Sequence, residues 1–277
     1  MVPPVVAGER PTGLVILGHP VTHSLSPIFQ QAALDHLGLP LRYERLDVPA
    51  EQLVQTLERL AHEGIAGNVT IPHKEAVAAR ARCTPLAARV GAVNTFWHER
   101  GVLMGHNTDV AGVMAAMAQV FPAPLAGEAV AVLGAGGSAA AALVALEQLG
   151  CREMRVVART PARAMALVER LGIAARVETD THTAVRDVAM VINCTPIGLA
   201  DDAMPVEPAR LPARSAVLDL VYRRGETAWV RACRSAGHAA ADGVHMLLEQ
   251  GAAAFECWFG VQAPRDVMRN ALLAAAR

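Results

Sequence analysis

The chain has 277 residues, of which 53% are hydrophobic and 18% are charged, with 25 Lys and Arg against 26 Asp and Glu. This length accommodates two domains or one large one, and so apolar a composition excludes an intrinsically disordered chain. The near balance of charge gives no reason to expect a nucleic acid or an anionic membrane surface as a partner.

The cysteines and the N-terminus indicate where the protein works. Five cysteines are scattered along the chain without a CxxC pair or a Cys/His cluster, so we expect neither a disulfide framework nor a metal site. The first twelve residues contain no apolar segment preceded by basic residues, so no secretory signal is expected. We therefore expect a soluble, cytoplasmic protein.

The first hundred residues alternate between strand-like and helix-like patterns. A helix is predicted to begin with Ser26 as N-cap and Pro27 in the first helical position, and Thr84-Pro85 repeats this signal. Strands are predicted over 14–17, 42–48 and 64–70, helices over 50–62 and 74–82, and a hairpin over 92–98 and 102–105.

The second half of the chain has the periodicity of repeated βαβ units. Asn107-Thr108-Asp109 is predicted to cap a helix that runs toward Phe121, and the Pro- and Gly-rich segment 122–127 is a candidate domain linker. Strands are predicted over 129–133, 154–158, 190–193 and 216–220, and helices over 138–149, 161–171, 244–258 and 263–276. Two α/β domains are the natural interpretation.

A glycine-rich segment follows the strand at 129–133 and opens the next helix. It has the G-x-G-x-x-A form of the dinucleotide fingerprint, in which glycines let backbone N–H groups approach a pyrophosphate. A tight strand-to-helix turn also needs glycine without any ligand, but the context favours nucleotide binding. The residues are Gly134, Ala135, Gly136, Gly137, Ser138 and Ala139.

The end of the next strand distinguishes the two nicotinamide cofactors. An NAD site commonly places a carboxylate there, whereas here Arg159 and Thr160 are followed by Arg163. A guanidinium forms paired, charge-assisted contacts with a phosphate, so the cofactor predicted is NADP. The alternative is a pair of solvated arginines at a helix start, where a cation is unfavourable.

Four polar clusters lie where predicted strands end or helices begin in the first domain, which is where open α/β sheets bind ligands. Their hydroxyls, amides, lysine and carboxylate suit a polyhydroxylated carboxylate ligand. Each also has a structural interpretation, since Ser26, Thr108 and Asp109 could be helix caps and Lys74 a solvated helix residue. The clusters are residues 23–27, 68–74, 91–95 and 105–109.

Together with Asn193-Cys194-Thr195-Pro196 and Asp242-Gly243, these motifs make the chain resemble the shikimate dehydrogenase family over nearly its whole length. The resemblance implies an NADP-binding Rossmann-like domain and the reversible reduction of 3-dehydroshikimate to shikimate with NADPH. That reaction belongs to chorismate and aromatic amino acid biosynthesis. Three parts are implied: a substrate-binding and catalytic domain (1–107), the NADP-binding domain (108–240), and C-terminal helices (241–277) that pack on the first domain.

The resemblance also implies roles for individual residues. Lys74 would be the catalytic acid and base, with Asp109 as its partner, and both would also touch the substrate. The substrate would further contact Ser24, Ser26, Thr70, Asn94, Tyr222 and Gln250. The cofactor would contact the glycine loop from Gly134 to Ser138, then Arg159, Thr160, Arg163, Leu220 and Gly243.

Two positions depart from the family pattern, since Gln30-Gln31 replaces a usual His-Asn pair and Ala158 replaces an Asn. Three alternatives remain: an NAD-using quinate/shikimate dehydrogenase, a non-catalytic NADP-binding regulatory protein, and a methyltransferase that uses the glycine loop. Retention of Lys74, Asp109 and Arg159 argues against the last two. The sequence leaves open a homodimer.

Overall fold

The computed structural model describes residues 8–276 and divides into two compact units. Unit 1 comprises the described residues up to 108 together with those from 247, and unit 2 comprises 109–246. Part of the segment on which the expectation of no secretory signal depends, residues 1–7, lies outside the described residues. Within 8–276, no helix is long and apolar enough to cross a membrane.

Unit 1 is an α/β unit whose sheet draws on six strands. The strands are β1 (Gly13–Gly18), β2 (Tyr43–Asp47), β3 (Ile65–Val69), β4 (Arg82–Cys83), β5 (Thr95–Glu99) and β6 (Val102–His106). The helices between them are α1 (Ser26–His36), α2 (Leu53–Glu63), α3 (Lys74–Ala78) and α4 (Pro85–Val90).

Unit 2 alternates strand and helix more regularly. Its strands are β7 (Ala129–Leu133), β8 (Glu153–Val157), β9 (Ala175–Glu178), β10 (Met190–Asn193), β11 (Ala216–Asp219) and β12 (Ala240–Ala241). Its helices are α5 (Asp109–Val120), α6 (Gly137–Gln148), α7 (Pro161–Leu171), α8 (Thr181–Val185) and α9 (Ala228–Ser235). Helix α10 (Val244–Phe259) starts in unit 2 and continues into unit 1, which also holds α11 (Arg265–Ala276).

The sheet of unit 1 has the strand order β2-β1-β3-β5-β6-β4. Strand β1 pairs in parallel with β2 and β3, whereas β5 is antiparallel to both β3 and β6. The carboxyl ends of β1, β2, β3 and β6 and the amino end of β5 therefore lie at one edge of the sheet. We call this edge the polar edge, because the loops there carry the predicted polar clusters.

The core of unit 1 is formed by apolar side chains that its strands and helices bury. Strand β1 contributes Leu14 and Leu17, both buried, and helix α2 buries Leu53, Leu57 and Leu60 at helical spacing. Helix α1 packs on α11, which belongs to the C-terminal segment of the chain. The C-terminal segment from 247 to 276 therefore belongs to unit 1.

The sheet of unit 2 is entirely parallel, with the order β12-β11-β10-β7-β8-β9. This is the order of the dinucleotide-binding fold, and the strand order reverses between β7 and β10. Strand β7 is fully buried, and so are eight consecutive residues of α6, from Ala139 to Leu146. Buried parallel strands read as continuous apolar runs, which is why the sequence revealed them clearly.

Several expectations need correction. Ser26 is not an N-cap: Leu25 already has helical backbone angles and its C=O accepts from the Ile28 N–H, so Ser26 is the first residue of α1. Helix α3 ends at Ala78 rather than at 82, because residues 82–83 form β4 and pair with β6. Segment 122–127 is no linker between the units, since it lies inside unit 2.

The domain boundaries also differ from the expected ones. The first division falls at 108/109, one residue after the expected position, and the second at 246/247 rather than 240/241. The second difference has a plain cause, because Ala240 and Ala241 extend the sheet of unit 2 by pairing with Val217 and Leu218.

Candidate active site

The loop between β1 and α1, residues 19–25, is called the serine loop here because Ser24 lies in it and Ser26 directly follows. Both serines are buried, with 8% and 2% of their surface exposed. Ser24 Oγ accepts a hydrogen bond from the Ser26 N–H at 3.3 Å, so the Ser24 hydroxyl proton remains available to another acceptor. Because the Ser26 hydroxyl does not cap α1, two hydroxyls can serve one ligand.

The segment after β3 leads to Lys74. Thr70 is held at the carboxyl end of β1, where its N–H donates to the Leu17 C=O at 2.8 Å. A Cβ at Gly18 would lie far inside van der Waals contact with the Thr70 side chain, so only glycine allows this approach. Lys74 is half-buried at the first position of α3, and its C=O accepts from the Val93 N–H at 2.9 Å. Lys74 is thereby anchored beside the cluster that contains Asn94.

Asn94 is the centre of a buried hydrogen-bond network at the polar edge, with 1% of its surface exposed. Its Nδ2 donates to Thr108 Oγ1 at 2.9 Å and to Gln250 Oε1 at 3.2 Å, while its Oδ1 accepts from the Thr108 N–H at 2.7 Å. Gln250 Nε2 in turn donates to the Leu247 C=O. The predicted substrate residues Asn94 and Gln250 are therefore in direct contact, although 156 positions separate them.

Other members of this network were not among the predicted site residues. Asn68 Nδ2 donates to the Asn94 C=O at 3.0 Å and to Thr95 Oγ1 at 3.2 Å, and Tyr43 Oη donates to Asn68 Oδ1 at 2.7 Å. Asn68, Thr95 and Thr108 stand inside the polar clusters of the sequence, so that signal could have identified them. Nothing in the sequence around Tyr43 predicted its contact.

Asp109 and Tyr222 both belong to unit 2. Asp109 is buried, with 2% exposed, and it begins α5. Tyr222 is half-buried after β11, and burial, followed by the negative charge of Asp109, raises the pKa of its hydroxyl. The structure therefore brings these two predicted substrate residues into electrostatic range of each other.

Two loops meet at the reversal of strand order in unit 2. Gly134, directly after β7, has φ +119°, and a Cβ there would lie 3.1 Å from the backbone C and O of Cys194. Gly136 precedes the first residue of α6, and a Cβ there would have no heavy atom within 4 Å. The open space at Gly136, next to the N-terminus of a twelve-residue helix, suits an approaching pyrophosphate.

The loop after β10 is held by a buried carboxylate, Asp219. Asn193 Nδ2 and Thr227 Oγ1 donate to its two oxygens at 2.9 and 2.8 Å, and the Val221 N–H donates at 3.1 Å. Burial raises the pKa of Asp219 in spite of these donors. Burial also raises the pKa of the nearby Cys194 thiol, so Cys194 is no candidate nucleophile.

The predicted phosphate residues lie at the carboxyl end of β8 and the start of α7. Arg159, Thr160 and Arg163 are all exposed. Thr160 is the N-cap residue of α7, but its side chain makes no capping hydrogen bond. Within residues 8–276, neither guanidinium makes an ion pair, which leaves two cations at a helix N-terminus without a structural partner.

Leu220 and Gly243 come together where β11 and β12 end. The Gly243 N–H donates to the Val221 C=O at 3.0 Å, and a Cβ at Gly243 would lie far inside contact distance of the Leu220 carbonyl oxygen. Together with the open cradle at Gly136 and the exposed arginines, these loops at the carboxyl edge of the sheet fit NADP. Among residues 8–276, no group of three or more His, Cys, Asp or Glu side chains could hold a metal ion.

The comparisons with known proteins agree with this geometry. Residues 16–96 match the family model of the shikimate dehydrogenase substrate binding domain, 116–199 that of shikimate/quinate 5-dehydrogenase, and 243–273 that of the shikimate 5'-dehydrogenase C-terminal domain. A shikimate dehydrogenase (NADP(+)) from Rubrobacter xylanophilus is 44% identical, over 97% of this chain and 98% of the relative.

The chain belongs to the shikimate dehydrogenase family. The relative from Symbiobacterium thermophilum, with the same name, is 40% identical over 95% of this chain and 94% of its own. The crystal structure of shikimate 5-dehydrogenase from Thermus thermophilus in complex with NADP(H) and shikimate superposes with a TM-score of 0.86. It is 38% identical and covers 95% of this chain and 99% of that one.

The Gln30-Gln31 pair, which departs from the family pattern, makes structural contacts within unit 1. Gln30 Nε2 donates to the Gly251 C=O at 2.9 Å and so ties α1 to α10, although its buried Oε1 has no partner. Gln31 Oε1 accepts from the Tyr43 N–H at 3.0 Å and holds the start of β2. Both amides serve the packing of unit 1.

Proposed function

We propose that this chain reversibly reduces 3-dehydroshikimate to shikimate with NADPH. The observation that carries the proposal is the buried network of Asn94, Thr108 and Gln250 at the same edge as Lys74 and the serine loop, in a chain of this family. Hydroxyls, amides and one lysine at a single sheet edge match a cyclic acid that carries several hydroxyls and one ketone.

In this proposal the serine loop binds the substrate carboxylate. The Ser24 and Ser26 hydroxyls donate to it, and their burial strengthens these hydrogen bonds. Asn94, Gln250, Thr70 and Tyr222 orient the ring through its hydroxyl groups. The existing bond between Asn94 and Gln250 holds both amides in place before the substrate arrives, which lowers the entropic cost of binding.

Lys74 is the proposed acid and base, with Asp109 as its partner. Negative charge develops on the ketone oxygen during reduction, so the Lys74 ammonium stabilises that charge and delivers the proton. Asp109 acts together with Lys74 and contacts a substrate hydroxyl. In the reverse direction, Lys74 takes the proton from the alcohol.

The cofactor role falls to unit 2. When bound, NADPH supplies the hydride that reaches the ketone carbon. The backbone of the loop Gly134–Ser138 holds the pyrophosphate, and Arg159, Thr160 and Arg163 hold the adenosine phosphate. Leu220 and Gly243 contact the nicotinamide. Unit 1 is accordingly the substrate-binding unit, and we place the protein in the cytoplasm as a catalyst that works as a monomer or a homodimer.

The test is an assay of the purified protein with shikimate or quinate, each with NADP or NAD, followed by NADPH or NADH absorbance. We expect the highest kcat/KM with shikimate and NADP. A higher kcat/KM with quinate and NAD would show that the alternative function is correct. No nicotinamide reduction with either acid would refute dehydrogenase activity on this substrate class.

A further inference from the structure

Strand β2 lies beside the serine loop, and the side chains on one of its faces reach different parts of the polar edge. Successive side chains of a strand point to opposite faces, so Tyr43, Arg45 and Asp47 share one face. Tyr43 reaches Asn68, as described above, and Asp47 Oδ1 lies 3.3 Å from His19 Nδ1 at the start of the serine loop.

Arg45 contacts the serine loop at Ser24 itself. Its Nε and Nη2 both donate to the Ser24 C=O, at 3.1 and 2.7 Å. Two donors from one planar group restrict the carbonyl in direction as well as distance, which a single ammonium cannot do. The peptide that follows Ser24 is therefore fixed from β2, and the Ser24 side chain is held by the Ser26 N–H.

We propose that Arg45 is a positioning residue for substrate binding: by holding the Ser24 carbonyl, it keeps the two serine hydroxyls in the geometry that binds a carboxylate. The inference rests on the proposed function, because it assigns the serine loop to the substrate carboxylate. It adds a residue on a different element that never touches the substrate.

The test compares Arg45→Met, Arg45→Lys and the matched control Arg42→Met. Arg42 is also exposed and directly precedes β2. Within residues 8–276, its side chain makes no hydrogen bond or ion pair. We expect Arg45→Met to raise the KM for shikimate about three- to tenfold, with kcat and the KM for NADP within about twofold of the original. Arg45→Lys should fall between the original and Arg45→Met, and Arg42→Met should change nothing.

Two further measurements separate positioning from a general structural role. The methyl ester of shikimate lacks the carboxylate charge, so its KM should respond less to Arg45→Met than that of shikimate. In a Ser24→Ala background, Arg45→Met should add little, because residues that act through one another are not additive. The KM for NADP of each variant reports whether the protein is still folded.

The outcomes distinguish the inference from the function on which it rests. If the original protein is active and Arg45→Met leaves the KM for shikimate unchanged, the positioning role alone is overturned. An equal rise in KM for shikimate and its ester, or an additive effect with Ser24→Ala, would do the same. If the original protein fails to oxidise shikimate, the proposed function fails first.

Discussion

Lys74 is the residue on which the proposed proton transfer depends. Replacement by Gln supplies an amide that can still donate a hydrogen bond, but it removes the positive charge and the transferable proton. We expect Lys74→Gln to lower kcat by about 10²- to 10⁴-fold and to leave the KM for NADP within about twofold. Steady-state kinetics would measure both.

The matched control for Lys74 is its neighbour Glu75→Gln, because Glu75 is exposed on the same short helix. It should retain full kcat. If Lys74→Gln keeps more than a tenth of the original kcat, Lys74 is not the acid and base.

Substitution of Arg159 tests whether a single side chain gives NADP its preference over NAD. It stands at the carboxyl end of β8, whereas the exposed Arg152 precedes the amino end of the same strand. We expect Arg159→Gln to raise the KM for NADP about tenfold or more, with the KM for NAD and for shikimate unchanged. Arg152→Gln should leave all three values unchanged, and an equal loss with NAD and NADP in Arg159→Gln would contradict the phosphate role.

His106 links a single ionisation to the stability of unit 1. Burial lowers the pKa of His106 from 6.5 to about 4. Its Nδ1 lies 2.8 Å from Thr84 Oγ1, and that oxygen also accepts from the Ala87 N–H as the N-cap of α4. In the tautomer with an unprotonated Nδ1, the Thr84 hydroxyl donates to that nitrogen, and protonation of the ring would remove this acceptor.

The sign of the pH effect follows from linkage. Below pH 6.5 the unfolded chain binds a proton at His106 and the folded chain does not, so stability falls as the pH drops toward 4 and then levels off. The loss is about 3 kcal/mol at most. We expect thermal unfolding between pH 7 and 4 to show a shallower pH dependence for His106→Asn than for the original protein. Parallel curves for the two proteins would contradict this assignment.

At the scale of elements, the loop between β7 and α6 contains two glycines, Gly134 and Gly136, whose replacement should have different effects. Gly134 is required by the fold, because its φ is +119° and a Cβ would press on the Cys194 backbone. Gly136 has an extended backbone and open space around it, so the fold itself does not require glycine there. We expect Gly134→Ala to destabilise the protein by about 1–3 kcal/mol.

Gly136→Ala should behave in the opposite way. Its unfolding temperature should match that of the original protein, while the KM for NADP rises about tenfold or more, because a methyl group occupies the pyrophosphate cradle. Thermal unfolding and kinetics would measure the two effects. Loss of stability without loss of NADP affinity would place the cofactor elsewhere.

The elements also show what the sequence could predict. Runs of apolar residues marked β7 and β10. These two strands and α7 have the predicted bounds, since central parallel strands and amphipathic helices leave strong patterns. The two-residue strands β4 and β12 were missed, because their pairing depends on distant strands and not on their own residues. The N-terminus of α1 was misassigned, since Ser-Pro is the ordinary capping signal and only the turn at Leu25 overrides it.

The candidate site divides in the same manner. Asn94 and Lys74 could be predicted because polar residues clustered at strand ends are visible in the sequence. The Asn94–Gln250 bond and the clamp of Arg45 on Ser24 could not, because they join segments whose proximity only the folded chain determines. Sequence patterns therefore identify the residues of such a site better than they identify what holds them in place.

At the scale of the whole molecule, the chain enters unit 2 after residue 108 and returns to unit 1 at 247, yet each unit has its own core. The returning segment is tightly fitted: a Cβ at Gly251 would lie inside contact distance of the buried Phe29 ring, and Trp258 Nε1 donates to the Phe96 C=O at 3.2 Å. In unit 2, Asp219 is the comparable internal connection, since it joins the ends of β10 and β11 to the start of α9.

Separate cores predict that damage stays within the unit in which it is made. Gly251→Ala overpacks α10 against α1 and should destabilise unit 1 by about 1–3 kcal/mol, whereas Asp219→Leu leaves three buried donors unsatisfied in unit 2 and should cost about as much or more. Hydrogen exchange read by mass spectrometry should then show faster exchange in β1 and β5 for the first variant and in β7 and β10 for the second. Faster exchange spread equally over both sheets in either variant would mean that the two units unfold as one, because a local loss would then lower the free energy of opening everywhere.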